Sequence, residues 1–215
     1  MKKYLLIFIP TLFLIACGAE EQNVNETTTT TTPSSPTENT STLAEENVNL
    51  SNFFMPNNSI ARFKGEGNEF ATYTLTTKHL YDDYVATYED NGGTVVERIY
   101  SIQPDKISLI AQNGEAYEIK NHTLTELESM DEIEVYLQSP FVVGTDFNGW
   151  KITSTSTKLD TTLQSFQDVI VLEKIDQGSI SRKYFAKNFG EIKREFIVEE
   201  GEEPFIVTST IEEVS

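Results

Sequence analysis

The sequence predicts an all-β, mainly antiparallel domain of about ten strands, preceded by a disordered linker. Apolar and polar residues alternate with period two from about residue 60 onward, and β-branched and aromatic side chains are common there, which is typical of half-buried strands. Turn-forming pairs such as Asn91-Gly92 and Asn113-Gly114 separate the alternating runs. No long stretch has the period of an amphipathic helix.

The strand candidates follow one another along the chain with short turns between them. Residues 70–81 show the clearest alternation, with Tyr73 and Leu75 on the same face. The other candidates are residues 84–89, 94–102, 107–112, 116–120, 133–137, 151–160, 169–175, 181–186, 191–198 and 205–212. Strands joined by short turns pair with their neighbours, so we expect a meander that closes into a barrel, a half-barrel or a strongly curved sheet.

The N-terminal residues 1–16 have the organisation of a secretory signal peptide. Lys2 and Lys3 form a short basic start, and residues 4–15 are almost wholly apolar. A helix of about 12 residues is roughly 18 Å long, which is too short for a bilayer core of about 30 Å. We therefore predict that this segment directs export and is then removed.

The end of the apolar run, Leu14-Ile15-Ala16-Cys17, resembles the lipobox of bacterial lipoproteins. The resemblance implies cleavage between Ala16 and Cys17 and attachment of lipid, with acyl chains of the palmitate type, to the Cys17 thiol. Two or three acyl chains give durable anchoring, because each buried CH₂ group contributes about 0.8 kcal/mol. The alternative is an ordinary signal peptide with a cysteine near its end by chance. Cys17 is the only cysteine in the chain, which favours the lipobox and excludes an intramolecular disulfide.

The mature chain divides into a linker, residues 17–52, and a β-rich globular domain, residues 53–215. The linker is rich in Thr, Asn and Glu, and its few apolar residues show no period. Such a segment cannot bury enough surface to offset its ordering entropy, so we expect a flexible tether. About 35 residues of this kind reach on the order of 35 Å, enough to lift the domain clear of the membrane surface.

The formal net charge of −18 excludes some classes of partner. Removal of residues 1–16 takes away two lysines and no acid, so the mature chain is more acidic still. A surface of this sign repels phosphate backbones and anionic headgroups, which argues against nucleic acid and against electrostatic binding to membranes. We expect a monomer with a solvated acidic surface that is attached to the cell membrane, on its extracytoplasmic face, only through the N-terminal lipid.

The domain resembles an uncharacterised β-rich extracellular domain of lipoproteins and wall-associated proteins in low-GC Gram-positive bacteria. The resemblance rests on the motif GEGNEFA at residues 65–71, on NGGTV at 91–95, on residues 140–150, which end in Trp150, and on YFAKNFGEIK at 184–193. Residues 162–166 and 188–190 depart from the usual pattern, and both lie in expected turns. The resemblance implies an architecture and a location. It implies no activity and no site.

Metal-binding and catalytic residue types form no convincing pattern. His79 and His122 are the only histidines, while a zinc site needs three or four ligands, mostly N or S. No Gly-x-Ser-x-Gly motif is present, and the adjacent acids at 82–83 and 131–132 point to opposite faces of an extended chain. Residues 89–92 and 146–149 resemble fragments of calcium loops but lack EF-hand spacing, and Asn-Gly turn chemistry explains them equally well. We predict no catalytic residue, no bound metal and no cofactor.

The aromatic residues are the remaining candidates for a ligand groove. Most of them are expected in the core, because a sheet without disulfides needs them there. Trp150, which follows a turn, and the pair Tyr184-Phe185 are the first places where we expect a groove, if one exists.

Three functions remain open, and the first is favoured. It is a non-enzymatic binding or interaction module that presents a concave face to a wall polymer, an exported protein or an apolar ligand. The second is an envelope chaperone or lipid carrier, which predicts a continuous apolar cavity. The third is a wall-acting enzyme, which predicts clustered acids or histidines with shifted pKa values in a cleft.

Overall fold

Twelve antiparallel strands form one sheet in the computed structural model, which describes residues 48–199 and 203–215. A 3-10 helix (Leu50–Phe53) precedes the first strand, a second (Glu69–Ala71) precedes β2, and α1 (Leu124–Glu128) is the one α-helix in the described ranges. The strands are β1 (Ile60–Glu66), β2 (Tyr73–Tyr81), β3 (Tyr84–Asp90), β4 (Val95–Ile102), β5 (Lys106–Asn113), β6 (Glu134–Gln138), β7 (Asp146–Phe147), β8 (Trp150–Asp160), β9 (Ser165–Asp176), β10 (Ser179–Ala186), β11 (Gly190–Val198) and β12 (Phe205–Val214).

Strands that follow one another in the chain pair with each other, except β6 and β7, which do not pair; we call the gap between them the seam. β1 pairs with both β2 and β12, which joins the first strand to the last, and β6 and β7 form the two edges. The sheet curls until both edges contribute to one core cluster, through Leu137 of β6 and Phe147 of β7. The result is a nearly closed barrel. The predicted all-β antiparallel fold is confirmed, with twelve strands instead of about ten.

Two apolar clusters fill the interior, as the alternation of the strands requires. One joins residues of β3 to β6 with residues of β7 to β10 and includes the fully buried Phe185. The other contains Phe63 and Tyr73, which are paired across β1 and β2 with their rings stacked 4.5 Å apart. Aromatic side chains therefore supply much of the core of a barrel that has no disulfide.

A third cluster lies on the opposite face of the sheet, under the segment that joins β5 to β6. Val85 belongs to the interior, so the next residue, Ala86, faces outward, where it shares a cluster with Leu127 of α1. α1 is held at its start by a capping box, in which the side chains of Thr123 and Glu126 bond each other's backbone amides. This short helix covers apolar surface on β3 to β5 that would otherwise be exposed.

Two local predictions are wrong. Residues 116–120 form no strand, because β5 already lies between β4 and β6, and β6 occupies the side of β5 that this segment would need. Ala116 is nevertheless buried, and its amide donates to the Val95 carbonyl at 2.9 Å. The strand predicted from residue 70 begins at Tyr73, because the Asn68 side chain accepts from the Phe70 amide and starts a 3-10 turn there.

Several predictions for the N-terminus fall on residues that the structure does not describe. The signal peptide (1–16), cleavage between Ala16 and Cys17, lipidation of Cys17 and most of the linker (17–52) lie outside the described residues. Of the helices present at residues 48–199 and 203–215, none is both long and apolar enough to cross a bilayer.

Candidate functional site

Several charged side chains lie among the apolar ones on the concave face, which is the inner face of the nearly closed barrel. β3 contributes Glu89, β4 contributes Arg98, β10 contributes Lys183, and β11 contributes Glu191 and Arg194. Each lies at an inward position of its strand, so the alternation that builds the core also brings these five charges together.

The register of β10 and β11 explains how two charges of β11 reach the same face. Lys183 pairs with Arg194, so these side chains point to the same side of the sheet. The register shifts between Tyr184 and Phe185, and Phe185 then pairs with Glu191. This β-bulge turns Glu191 inward beside Arg194, although an odd spacing of three positions would put them on opposite faces of a regular strand.

Four of the five charges form one chain of ion pairs, which we call the ion network. Arg98 Nη1 lies 3.0 Å from Glu89 Oε2, and Arg194 Nη1 lies 3.1 Å from the same oxygen. Arg194 Nε donates to Glu191 Oε1 at 2.6 Å, and Arg194 therefore bridges the two carboxylates. The two guanidinium groups balance the two carboxylates. The Glu89 and Glu191 side chains are only 13% and 7% exposed, so the paired guanidinium groups replace much of the water that would otherwise surround them.

The ionisation of Glu191 reflects this competition between burial and pairing. Burial alone raises the pKa of its carboxyl, but the charges of Arg194 and Lys183 and the hydrogen bond from Arg194 outweigh burial. The pKa of Glu191 consequently lies below its ordinary value. A short distance away, burial raises the pKa of Tyr100 to about 12, so this phenol stays protonated.

Lys183 is the fifth charge and stands apart from the network. Its Nζ lies 4.7 Å from the centroid of the Trp150 ring and 4.9 Å from that of Tyr136. Such positions are attractive for a cation. Among the described residues no carboxylate oxygen lies within 4.0 Å of Lys183 Nζ. Burial lowers the pKa of Lys183, and the more distant Glu191 and Glu134 oppose that effect.

Two open spaces flank Lys183 and Arg194. One, of about 250 Å³, is bordered by Arg98, Gln112 and Glu134 and also by apolar groups; we call it the polar space because of its charged lining. The other, of about 230 Å³, is bordered by Trp150, Ser181, Phe196, Val207 and Ser209. The concave face thus offers a polar space and a mostly apolar space, with the same two cations between them.

The three predicted groove residues separate in the structure. Trp150 borders the apolar space and lies under Lys183. Phe185 is fully buried on the same face and packs edge-on against Tyr136, with ring centroids 5.2 Å apart. Tyr184 points to the other face, where its hydroxyl donates to Glu195 at 2.8 Å. Consecutive strand residues face opposite sides, which separates Tyr184 from Phe185.

The two histidines occupy unrelated places. His79 Nε2 lies 2.9 Å from the Met55 carbonyl oxygen, and His122 Nε2 lies 3.1 Å from Glu97 Oε1. Glu97 is fully buried on the convex face and also accepts from the Tyr88 hydroxyl at 2.7 Å. The contact between His122 and Glu97 attaches the segment after β5 to the sheet.

The calcium-like segments are turns. Asn148 and Gly149 both have positive φ, 50° and 76°, as the hairpin between β7 and β8 requires. In the turn after β3, Asp90 Oδ1 accepts from the Gly92 amide at 2.9 Å. The described part of the chain contains no group of three or more His, Cys, Asp or Glu residues that could hold a metal ion.

Sequence analysis did not find the ion network or Lys183. A signal was available, because Arg98 and Lys183 each stand two residues from an inward aromatic residue, Tyr100 and Phe185. A charge in phase with core residues predicts a buried pair. The bulge that turns Glu191 inward has no comparable sequence signal.

Comparisons with known proteins found one likeness at the level of structure. No family profile and no curated protein matches the chain. A crystal structure described as a "putative exported protein" with a YmcC-like fold, from Bacteroides fragilis, is similar to this chain with a TM-score of 0.46 and 12% identity. The likeness covers 76% of this chain and 99% of that one.

Proposed function

We propose that this chain is a lipid-anchored, extracytoplasmic binding protein, not an enzyme, and that its ligand occupies the concave face beside Lys183. The observation that carries the proposal is the Lys183 ammonium group, which borders both open spaces and has no carboxylate within 4.0 Å in the described ranges. A largely desolvated cation is costly unless a partner accepts its hydrogen bonds. A ligand that carries such acceptors would stabilise it.

The remaining charges support binding rather than acid–base chemistry. A general acid that works near neutral pH needs a carboxyl pKa raised towards 7. The pKa of Glu191 is instead lowered, because Arg194 and Lys183 outweigh burial. Arg194 also engages Glu89 at 3.1 Å, which occupies the second carboxylate of the network. These groups fix the shape and the charge of the concave face.

The location rests on the N-terminal sequence, and Cys17→Ala tests it. The variant loses its only acylation site, so we expect it in the medium or unprocessed, whereas the wild-type chain stays with the membrane fraction. Fractionation combined with metabolic labelling by a palmitate analogue measures the effect. Ser34→Ala in the linker is the matched control. Unchanged fractionation of Cys17→Ala would remove the anchor from the proposal.

Binding is tested by a screen against a variant whose cavity is filled. Ser181 borders the apolar space and makes no contact in the ion network, so Ser181→Trp blocks the space with the network intact. The full chain in liposomes is heated with wall fragments, peptides or fatty acids, and its unfolding temperature is recorded. We expect at least one class to raise that temperature for the wild type and for Ser156→Trp, an exposed control on β8, but not for Ser181→Trp. A complete absence of shifts would contradict the proposal.

A further inference from the structure

The apolar space beside Lys183 has the walls of a site for an amphiphile. Trp150, Phe196 and Val207 supply its apolar lining. Phe196 stays 43% exposed although it borders the space, so the apolar wall continues to the protein surface. A ligand with an apolar body can therefore enter from solvent and replace water against these three side chains.

A second lysine adds positive charge at the same place. Lys174 Nζ lies 6.0 Å from the centroid of the Trp150 ring, on the ring that Lys183 also approaches. Lys174 pairs with Ser181 across β9 and β10, which puts it on the concave face. No carboxylate oxygen of the described residues lies within 4.0 Å of either lysine.

The carboxylates near Lys183 either border the polar space instead of the apolar one or already form an ion pair with another cation. Glu134 borders the polar space and is absent from the lining of the apolar one. Glu191 is bonded to Arg194. Glu195 also borders the apolar space, but its carboxylate is bonded to Lys193 at 2.6 Å. In a chain of net charge −18, this small region is cationic and faces apolar walls. A field of that sign attracts anions to a surface that otherwise repels them.

We infer that the apolar space binds a free amphiphilic carboxylic acid, with its carboxylate at Lys183 and Lys174 and its apolar body against Trp150, Phe196 and Val207. This inference rests on the proposed binding function and gives it a ligand class. The volume of the space agrees with such a ligand. About 230 Å³ would hold roughly eight water molecules at about 30 Å³ each, so it suits an apolar chain of about eight non-hydrogen atoms. Octanoate is a probe of this size.

The test compares three probes of equal chain length. The full chain is reconstituted in phosphatidylcholine liposomes, and the fluorescence of Trp150, the only tryptophan, is recorded with octanoate, octanol or octylammonium. We expect saturable binding of octanoate at least about tenfold tighter than of octanol, because a charge-assisted hydrogen bond is lost in the alcohol. Octylammonium is expected not to bind. Empty liposomes correct for partitioning into lipid.

Three variants test which residues cause the preference for octanoate over octanol. Lys183→Met keeps the apolar stem and removes the charge, so octanoate should fall to the affinity of octanol. Lys151→Met, an exposed position of β8 next to Trp150, should leave the preference unchanged. Phe196→Ala should weaken octanoate about fivefold or more, since the loss of a partly exposed aromatic wall removes apolar contact at small risk to the fold.

Three results would contradict the proposed carboxylate site. Equal affinity for octanoate and octanol, no saturable octanoate signal, or a preference that survives in Lys183→Met would each overturn it. If Lys183→Met fails to fold, the comparison of probes on the wild type and Phe196→Ala still decides. A wall fragment or peptide that raises the unfolding temperature while octanoate fails would leave the binding function standing and remove only this ligand class.

Discussion

Arg194 holds the charged interior together, and its replacement gives the sharpest test of the structure. Arg194→Met keeps an unbranched side chain under the Tyr73 ring, which the guanidinium now approaches at 4.7 Å, but leaves Glu191 and Glu89 without their shared cation. Breaking one side of a buried ion pair costs about 3–5 kcal/mol. The Arg194 side chain is 35% exposed, which favours the lower end, so we expect a loss of about 3 kcal/mol in the free energy of unfolding at pH 7.

The loss should depend on pH in a definite direction. In the wild type the pKa of Glu191 is lowered, so its carboxylate stabilises the fold above the pKa of the unfolded chain, and this contribution disappears as the pH falls through the folded-state pKa. Without Arg194, burial becomes the leading influence and the folded-state pKa rises. Ionised Glu191 then destabilises the variant at pH 7, and protonation relieves the penalty near pH 4. The difference between variant and wild type should therefore shrink on acidification.

Urea unfolding at pH 7 and near pH 4, followed by circular dichroism, measures both effects. The double variant Glu191→Gln/Arg194→Met should lose about 1–3 kcal/mol less than the sum of the single variants, because they remove the same interaction. Arg62→Met is the control: its pair with Glu212 is exposed, and the expected loss is below about 1 kcal/mol. A loss for Arg194→Met as small as for the control, or strict additivity of the double variant, would refute the buried network.

Two further stability predictions concern other parts of the fold. Tyr88→Phe removes the 2.7 Å hydrogen bond to buried Glu97 and should lower the free energy of unfolding by about 1–3 kcal/mol in urea titrations. An unchanged value would mean that the Glu97 carboxylate is solvated and does not depend on this hydrogen bond. Gly67→Ala should lower the free energy of unfolding clearly more than Gly92→Ala does. Both residues have positive φ, for which we expect a loss of about 1–2 kcal/mol in Gly92→Ala. A Cβ at Gly67 would in addition meet the Ile206 carbonyl, whereas Gly92 borders open space. Equal unfolding temperatures for the two variants would contradict the close approach.

The fold was largely predictable because one periodicity dominates the domain. Residues 205–212 are rich in β-branched side chains, and the strand observed there is Phe205–Val214. Residues 116–120 alternate in polarity and yet form no strand, since β4 and β6 already flank β5 and the polarity pattern does not show which partner a strand will find. The meeting of β1 with β12, which closes most of the barrel, is a long-range pairing without a local signal.

The candidate site was harder to predict for a related reason. Trp150 was expected at a groove, and it borders the apolar space, because a large aromatic side chain after a turn at a strand start can be identified locally. The partners that give this space its chemistry come from other strands of the same sheet: Lys183 from β10 and Phe196 from β11. Their meeting with Trp150 of β8 depends on the order and register of the strands from β8 to β11, which no short motif encodes.

The seam between β6 and β7 links the architecture to the site. No ladder joins these two edge strands, so contacts across the interior must hold β6 against the other half of the barrel. Tyr136 of β6 makes several of them: its ring packs 5.2 Å from Phe185 and lies 4.9 Å from Lys183 Nζ, and its hydroxyl lies 3.4 Å from Glu191. The residue that closes the barrel is thus also a wall of the Lys183 site.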